Sequence, residues 1–394
     1  MVSWALCRHA LTSCVAVAML AGCGGSQPPI GAPGTLPSST TYTQKSWAHS
    51  ARPAGTTVHY VYVTNDGSAN VSAFAINAST GSLMQVKGSP FAAGSEPWGA
   101  AVDPTGKFAY VTNVGSDSVS AYAINASTGS LTQVTGSPFA SGGSEPWEMT
   151  IGPSGKFAYV TNFYSNNVSA YAIDAKSGAL TQVQSSPFGT GANPAEVAVN
   201  PSGTFAYVAN GYGEDVSAYS IKSTGALTQL KKSPFAAGSY PWGVTVDPPD
   251  KFAYVTNFDS GNVSAYIINP SSGVLSQVKG SPFAAGSGSF GVAIDPVAPF
   301  LYVVNEHSNT VSAYVINPSS GVLTQVQGSP FAAGTDPYGV AIDPTGKFAY
   351  VANANWGNGS GSISAYAIKR SGALIPVKGS PFAAGAGPVQ LAIR

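Results

Sequence analysis

The sequence predicts an all-β fold: a seven-bladed β-propeller of four-stranded antiparallel blades, its ring closed by a C-terminal strand that joins the N-terminal blade. Three observations predict it. First, one unit recurs to the end of the chain. The tyrosine of its FAYV core falls at Tyr62, Tyr110, Tyr159, Tyr207, Tyr254, Tyr302 and Tyr350, at spacings of 48, 49, 48, 47, 48 and 48 residues. A fixed period of this size marks a repeat architecture. Second, each unit is saturated with strand and turn formers and has no helical 3.6-residue period, which disfavours stacked helical repeats. Third, the ends are complementary fragments of one unit. The chain enters the repeats at 58–64 (VHYVYVT), matching a second strand, and leaves at 389–393 (VQLAI), matching a first strand.

The unit spanning 95–136 shows how the strands arise. An apolar run at 98–102 is followed by Asp103-Pro104-Thr105-Gly106, the residue chemistry of a type I turn. The second strand, 108–112 (FAYVT), is aromatic and β-branched, as strands prefer. A polar loop at 113–117 leads to a third strand, 119–124 (VSAYAI). Gly129 ends the next turn, where glycine supplies a positive φ, and 131–134 forms a more polar fourth strand. Both faces of FAYV and VSAY are apolar, so the sheet must be covered on both sides. Seven such sheets facing one another around an axis satisfy that requirement. The Phe of the Ser-Pro-Phe signature (Phe91, Phe139, Phe188, Phe235, Phe283, Phe331, Phe382) is placed to plug between blades. The Asn ending each YVTN strand, Asn65 through Asn353, reads as a turn cap accepting local backbone bonds.

Three segments follow. Residues 1–22 have a short basic n-region with Arg8 and an apolar run from Ala10 to Leu20, too short to span a bilayer and proportioned as a secretory leader. Leu20-Ala21-Gly22-Cys23 resembles a bacterial lipobox, which implies lipidation of Cys23, and Gly24 in place of an aspartate points to an outer-membrane, surface or periplasmic anchor. Residues 23–57 are rich in Gly, Pro, Ser and Thr without apolar period, a disordered tether. The propeller occupies 58–394.

Composition narrows the function. Seventeen basic and seventeen acidic residues balance, with no cationic cluster beyond Lys231-Lys232, so nucleic-acid binding is disfavoured. Cys7, Cys14 and Cys23 precede the repeats, leaving no thiol for a disulfide, nucleophile or thiolate metal site there. No nucleophile elbow, zinc-binding His pair, EF-hand loop or phosphate-binding glycine loop is present. The expected assembly is a monomer without cofactor.

DPTGK before FAYVTN and NNVSAY-like strands after it resemble the YVTN-repeat propellers and, more broadly, the seven-bladed lactonase-like propellers that include 6-phosphogluconolactonase. The resemblance covers about 58–394. It implies a site holding an anionic sugar acid or lactone by Arg and His. Asn305-Glu306 matches that group's Asn-Glu element and Pro194-Ala195-Glu196 its Pro-Ala-Glu element. Ser289-Phe290-Gly291 stands where Pro-Arg-His would, Gly211 where a second Arg would, and the two elements occur in the opposite chain order.

Because the repeat is uniform, its exceptions are the candidate site. The glycine of Trp98-Gly99 recurs as Gly243, Gly291 and Gly339 but is replaced by Glu148, Glu196 and Gln390. Carboxylates converging at the pore mouth could act as general acid or base, or offer oxygen ligands to Ca²⁺. Glu306 and His307 add a carboxylate and an imidazole, while His59 reads as structural. Trp98, Trp147, Trp242 and Tyr338, with Phe290, form a near-ring of aromatics, read as inter-blade packing or as a stacking platform. Two functions remain open: a lipid-anchored scaffold binding a protein or carbohydrate through its loop face, or a lactone hydrolase using Glu148, Glu196 or Glu306 with His307.

Overall fold

The computed structural model describes residues 58–357 and 359–394; the leader, Cys23 and the tether lie outside the described residues. Seven antiparallel sheets form the blades of a β-propeller. In blade 2 the strands are Pro97–Val102, Phe108–Asn113, Ser118–Ile124 and Leu131–Gln133. The fourth strand position is filled in two pieces. Leu131–Gln133 pairs with one end of the third strand and Phe139–Ala140 with the other, and the same division occurs in every blade.

The core lies between the blades. Tyr60, Tyr62 and Val71 of blade 1 pack with Val111, Tyr122 and Ile124 of blade 2, and Phe91 is half-buried against that cluster. Every residue of Phe108–Asn113 is buried, as expected for a strand covered on both faces.

Hydrogen bonds explain the repeated letters. The second-strand YV tyrosine of each blade donates its hydroxyl to a glycine carbonyl of the next blade: Tyr62 to Gly129 at 3.0 Å, Tyr110 to Gly178 at 2.9 Å, and so on until Tyr350 closes the circle on Gly81 at 2.9 Å. That glycine is dictated twice over. At Gly129 φ is +74°, and a Cβ would overlap the Tyr60 ring of the preceding blade. The third-strand tyrosines reach backward instead, Tyr122 donating to the Ala92 carbonyl at 2.6 Å.

The YVTN asparagines correct the expectation of a turn cap. Asn113 is fully buried and makes no cap bond to its own turn. Its Oδ1 accepts from the Gly94 N–H at 3.0 Å, and its Nδ2 donates to Ser120 at 3.0 Å. It ties the loop ahead of the inner strand to the third strand, a tertiary link that sequence adjacency does not show.

The ring closes as the ends imply. Pro388–Ile393 lies antiparallel to His59–Asn65, with Val61 opposite Ile393 and Val63 opposite Leu391. His59 Nδ1 meets the Arg394 carbonyl at 2.7 Å. Arg394 then reaches into blade 2, its Nε donating to the Gly106 carbonyl at 2.7 Å. The strand therefore removes the open edge of blade 1.

Candidate functional site in the central channel

Each inner strand carries a β-bulge. In blade 3, Pro146 pairs with Asn162 and Met149 with Val160, so Trp147 and Glu148 together oppose Thr161. The same register shift occurs in all seven blades. A bulge bends its strand and re-aims side chains. Here the YVTN threonine holds it: Thr161 Oγ1 accepts from the Glu148 N–H at 3.0 Å and donates to the Ala195 carbonyl of the next blade at 2.8 Å.

The first bulged residue builds a closed ring across the channel. Successive ring centroids lie 5.0 Å apart for Trp98–Trp147, 4.6 Å for Trp147–Trp242, 4.3 Å for Trp242–Phe290, 4.6 Å for Phe290–Tyr338 and 5.8 Å for Tyr338–Trp98. Ala195 and Val389 occupy the remaining two positions. All five rings are buried, Trp147 at 1% and the most exposed at 7%, so they pack against one another and none offers an open face.

The second bulged residue lies one step deeper. It is glycine in four blades because no Cβ fits: at Gly99 one would lie 2.6 Å from the Trp147 carbonyl and 2.8 Å from Glu148 Oε2. Space left by those glycines holds the side chains of the other three. Glu148, Glu196 and Gln390 line one cavity of about 190 Å³ with Thr150, Val292 and Leu391. They therefore sit inside the channel beneath the aromatic ring, rather than at its mouth as the sequence suggested. Gln390 Nε2 donates to Glu148 Oε1 at 2.9 Å, reaching over Gly99 of blade 2.

Electrostatics couples the two acids. Burial pushes Glu148 up, against the opposing hydrogen bonds from Gln390 and the Met149 N–H. Burial raises Glu196 further, and the neighbouring Glu148 charge adds to it. Two carboxyls so placed hold one proton between them more readily than two negative charges.

Glu306 and His307 do not join this pair. Glu306 accepts a hydrogen bond from the Tyr338 hydroxyl at 2.9 Å, and His307 is exposed on the loop face with its ring 4.9 Å from Phe258. Among the described residues no group of three or more His, Asp or Glu side chains is gathered as a metal centre would require. A second tier of aromatics, Phe163, Tyr164, Tyr212, Tyr240 and Phe258, stands over the buried ring. Sequence reasoning passed over it, although its signal is visible: these residues replace small or polar ones at equivalent loop positions.

Fold and channel define a propeller with a carboxylate-lined centre. The lactonase family with a seven-bladed β-propeller matches at 49–192, 100–290 and 279–393, and the chain belongs to that family. No curated protein sequence matches it. Among solved structures, a provisionally assigned 6-phosphogluconolactonase from Bacteroides fragilis superposes with a TM-score of 0.75 at 21% identity, covering 87% of this chain and 99% of its own. A similarly assigned protein from Bacteroides uniformis gives 0.75 at 19% identity, covering 86% and 100%. The periplasmic gluconolactonase PpgL of Pseudomonas aeruginosa gives 0.70 at 20% identity, covering 85% and 99%.

Proposed function

We propose that the protein is an exported lactone hydrolase acting on an uncharged lactone, with Glu148 and Glu196 as its proton-transfer pair. The observation that carries this reading is the coupled carboxyl pair in a channel cavity of a lactonase-family propeller. The environments assign the roles. Glu148, whose charged form Gln390 favours, is the base that takes a proton from water as the water oxygen bonds to the lactone carbonyl carbon. Glu196, the more strongly raised of the two, donates its proton to the ring oxygen as the acyl–oxygen bond breaks. The product is the open hydroxy acid. Acid and base held apart in this way are the pattern of carboxyl-pair catalysis.

The cavity lining contains no Lys, Arg or His, so nothing there neutralises a phosphate, and an uncharged lactone such as glucono-δ-lactone suits it better than a phosphorylated one. Export is supported by the leader-like N-terminus and by the periplasmic description of the Pseudomonas structure. Lipidation of Cys23 is tested by palmitate labelling, which a Cys23→Ser variant should abolish. Turnover is read as proton release from glucono-δ-lactone; Glu148→Gln with Glu196→Gln should lower kcat by about 10²-fold or more. Unchanged turnover in that double variant removes the pair from the mechanism.

A second reading, an envelope scaffold that binds through its loop face with Glu306 and His307 near the contact, is favoured by the exposure of Tyr164 and Tyr212 there. Pull-downs with loop-face variants that recover the wild-type partners would argue against it.

A further inference from the structure

The loops of the aromatic-covered face depart from the repeat in one sector. Blades 1 and 2 place Asp66-Gly67-Ser68 and Val114-Gly115-Ser116 after the second strand. Blades 3 and 4 place Phe163-Tyr164-Ser165 and Gly211-Tyr212-Gly213 there. Tyr164 is 46% exposed and Tyr212 64%. We propose that this sector, across blades 3 to 5, is a binding platform for neutral oligosaccharides, on which sugar rings stack against Tyr164 and Tyr212.

The platform is built rigid. Phe163 stacks on the buried Trp147 at 4.4 Å and 13°, and Tyr164 meets Phe163 at 5.6 Å. Tyr212 packs edge-on against Tyr240 at 5.2 Å, and Tyr240 rests on Trp242 at 5.6 Å. Tyr240 itself is fixed in a left-handed conformation, φ 52°, immediately before Pro241. Both exposed rings are thus held through one intermediate side chain by the sealed ring in the channel. Rigid tyrosines supply amphipathic contact area at low entropic cost.

Polar groups accompany the rings. Burial raises the Tyr240 hydroxyl, and the neighbouring Tyr212, Asp259 and Tyr164 raise it further, which places those groups within electrostatic reach of one another. Hydroxyl and carboxylate groups beside an apolar ring face match the alternating C–H faces and hydroxyls of a pyranose, and a few such groups fix ligand orientation.

Charge selects among ligands. Across both sets of loops on this face, residues 66–69, 93–96, 114–117, 141–145, 163–166, 190–193, 211–214, 237–240, 258–261, 285–288, 306–309, 333–336, 354–357, 359–361 and 384–387, there is no Lys or Arg, whereas eight positions are Asp or Glu. Such a surface repels anionic polysaccharides, nucleic acid and phosphate headgroups.

The test titrates the purified protein with cellohexaose, maltohexaose, chitohexaose and hexagalacturonate, reading tryptophan fluorescence and heat. At least one neutral hexasaccharide should bind, with affinity lowered about tenfold or more by Tyr212→Ala and by Tyr164→Ala, restored by Tyr212→Phe, and with melting temperatures unchanged. Hexagalacturonate should bind none of them. Absence of binding by every neutral hexasaccharide at millimolar concentration overturns the proposal, as does binding that both alanine variants leave intact.

Discussion

Replacing Glu148 by glutamine should flatten the pH dependence of stability. An ordinary glutamate titrates near 4.5, whereas burial pushes Glu148 up to about 7. The folded state therefore binds the proton more tightly than the unfolded chain. The resulting stability is complete below the ordinary value and is lost as pH rises through the folded one. At about 1.4 kcal/mol per pH unit, ionising this group inside the channel costs about 3 kcal/mol, a large share of a typical folding free energy. Glutamine keeps the shape, and its amide oxygen can still accept from Gln390 Nε2, now 2.9 Å from Oε1. It also removes the charge that raises Glu196. Two other buried acids slope the same way, Asp247 pushed up to about 6 and Asp295 to about 7 by burial, but both remain in the variant. The informative quantity is thus the difference between the two proteins. Urea denaturation followed by tryptophan fluorescence at pH 4 and pH 8 should show wild type losing about 3 kcal/mol more than Glu148→Gln over that interval. Parallel pH profiles would refute the reasoning, because they would mean that burial does not raise Glu148.

Two further perturbations address the frame that positions the pair. Deleting residues 388–394 exposes the inner edge of blade 1 and the burial sites of Val389 and Leu391, 2% and 5% exposed; at about 1.5–3 kcal/mol for each side chain the melting temperature should fall by on the order of 10 °C, and an unchanged melt would refute the closure. Gly129→Ala combines a φ of +74° with overlap on the Tyr60 ring and should cost roughly 2 kcal/mol or more, read as a shift in the urea midpoint; a neutral substitution would mean that the blade contact is looser than described.

The architecture was legible because its determinants are local and repeated. Asp103-Pro104-Thr105-Gly106 reads as a turn, and the Gly106 N–H does return to the Asp103 carbonyl at 2.8 Å. The mismatched ends announced the closing strand. What could not be read depends on contacts between units. Asn113 looked like a local cap because its partners, Gly94 and Ser120, belong to other segments. The bulge at Trp147-Glu148 has no composition of its own, yet it separates the aromatic level from the carboxylate level. Without it, Glu306 and Glu196 appear equally close to the pore; with it, Glu196 lines the cavity and Glu306 meets a hydroxyl of the sealing ring.

The sealing ring gives the exceptions to the repeat their separate meanings. Above it, the loop substitutions are exposed tyrosines in a field of acids, chemistry that water can reach and that suits recognition. Below it, three substitutions at a single register position place two carboxyls and an amide in a cavity where charge is costly, chemistry that suits proton transfer. Five aromatic side chains in contact stand between these two environments. Threonines support the arrangement in four blades: Thr64, Thr112, Thr161 and Thr256 each donate to the carbonyl of a bulged residue of the neighbouring blade, while Ala209, Val304 and Ala352 stand at that position in the other three. The bulge repeated in every blade fixes the height at which their differences project, and that is why substitutions far apart in sequence meet at one level of the channel.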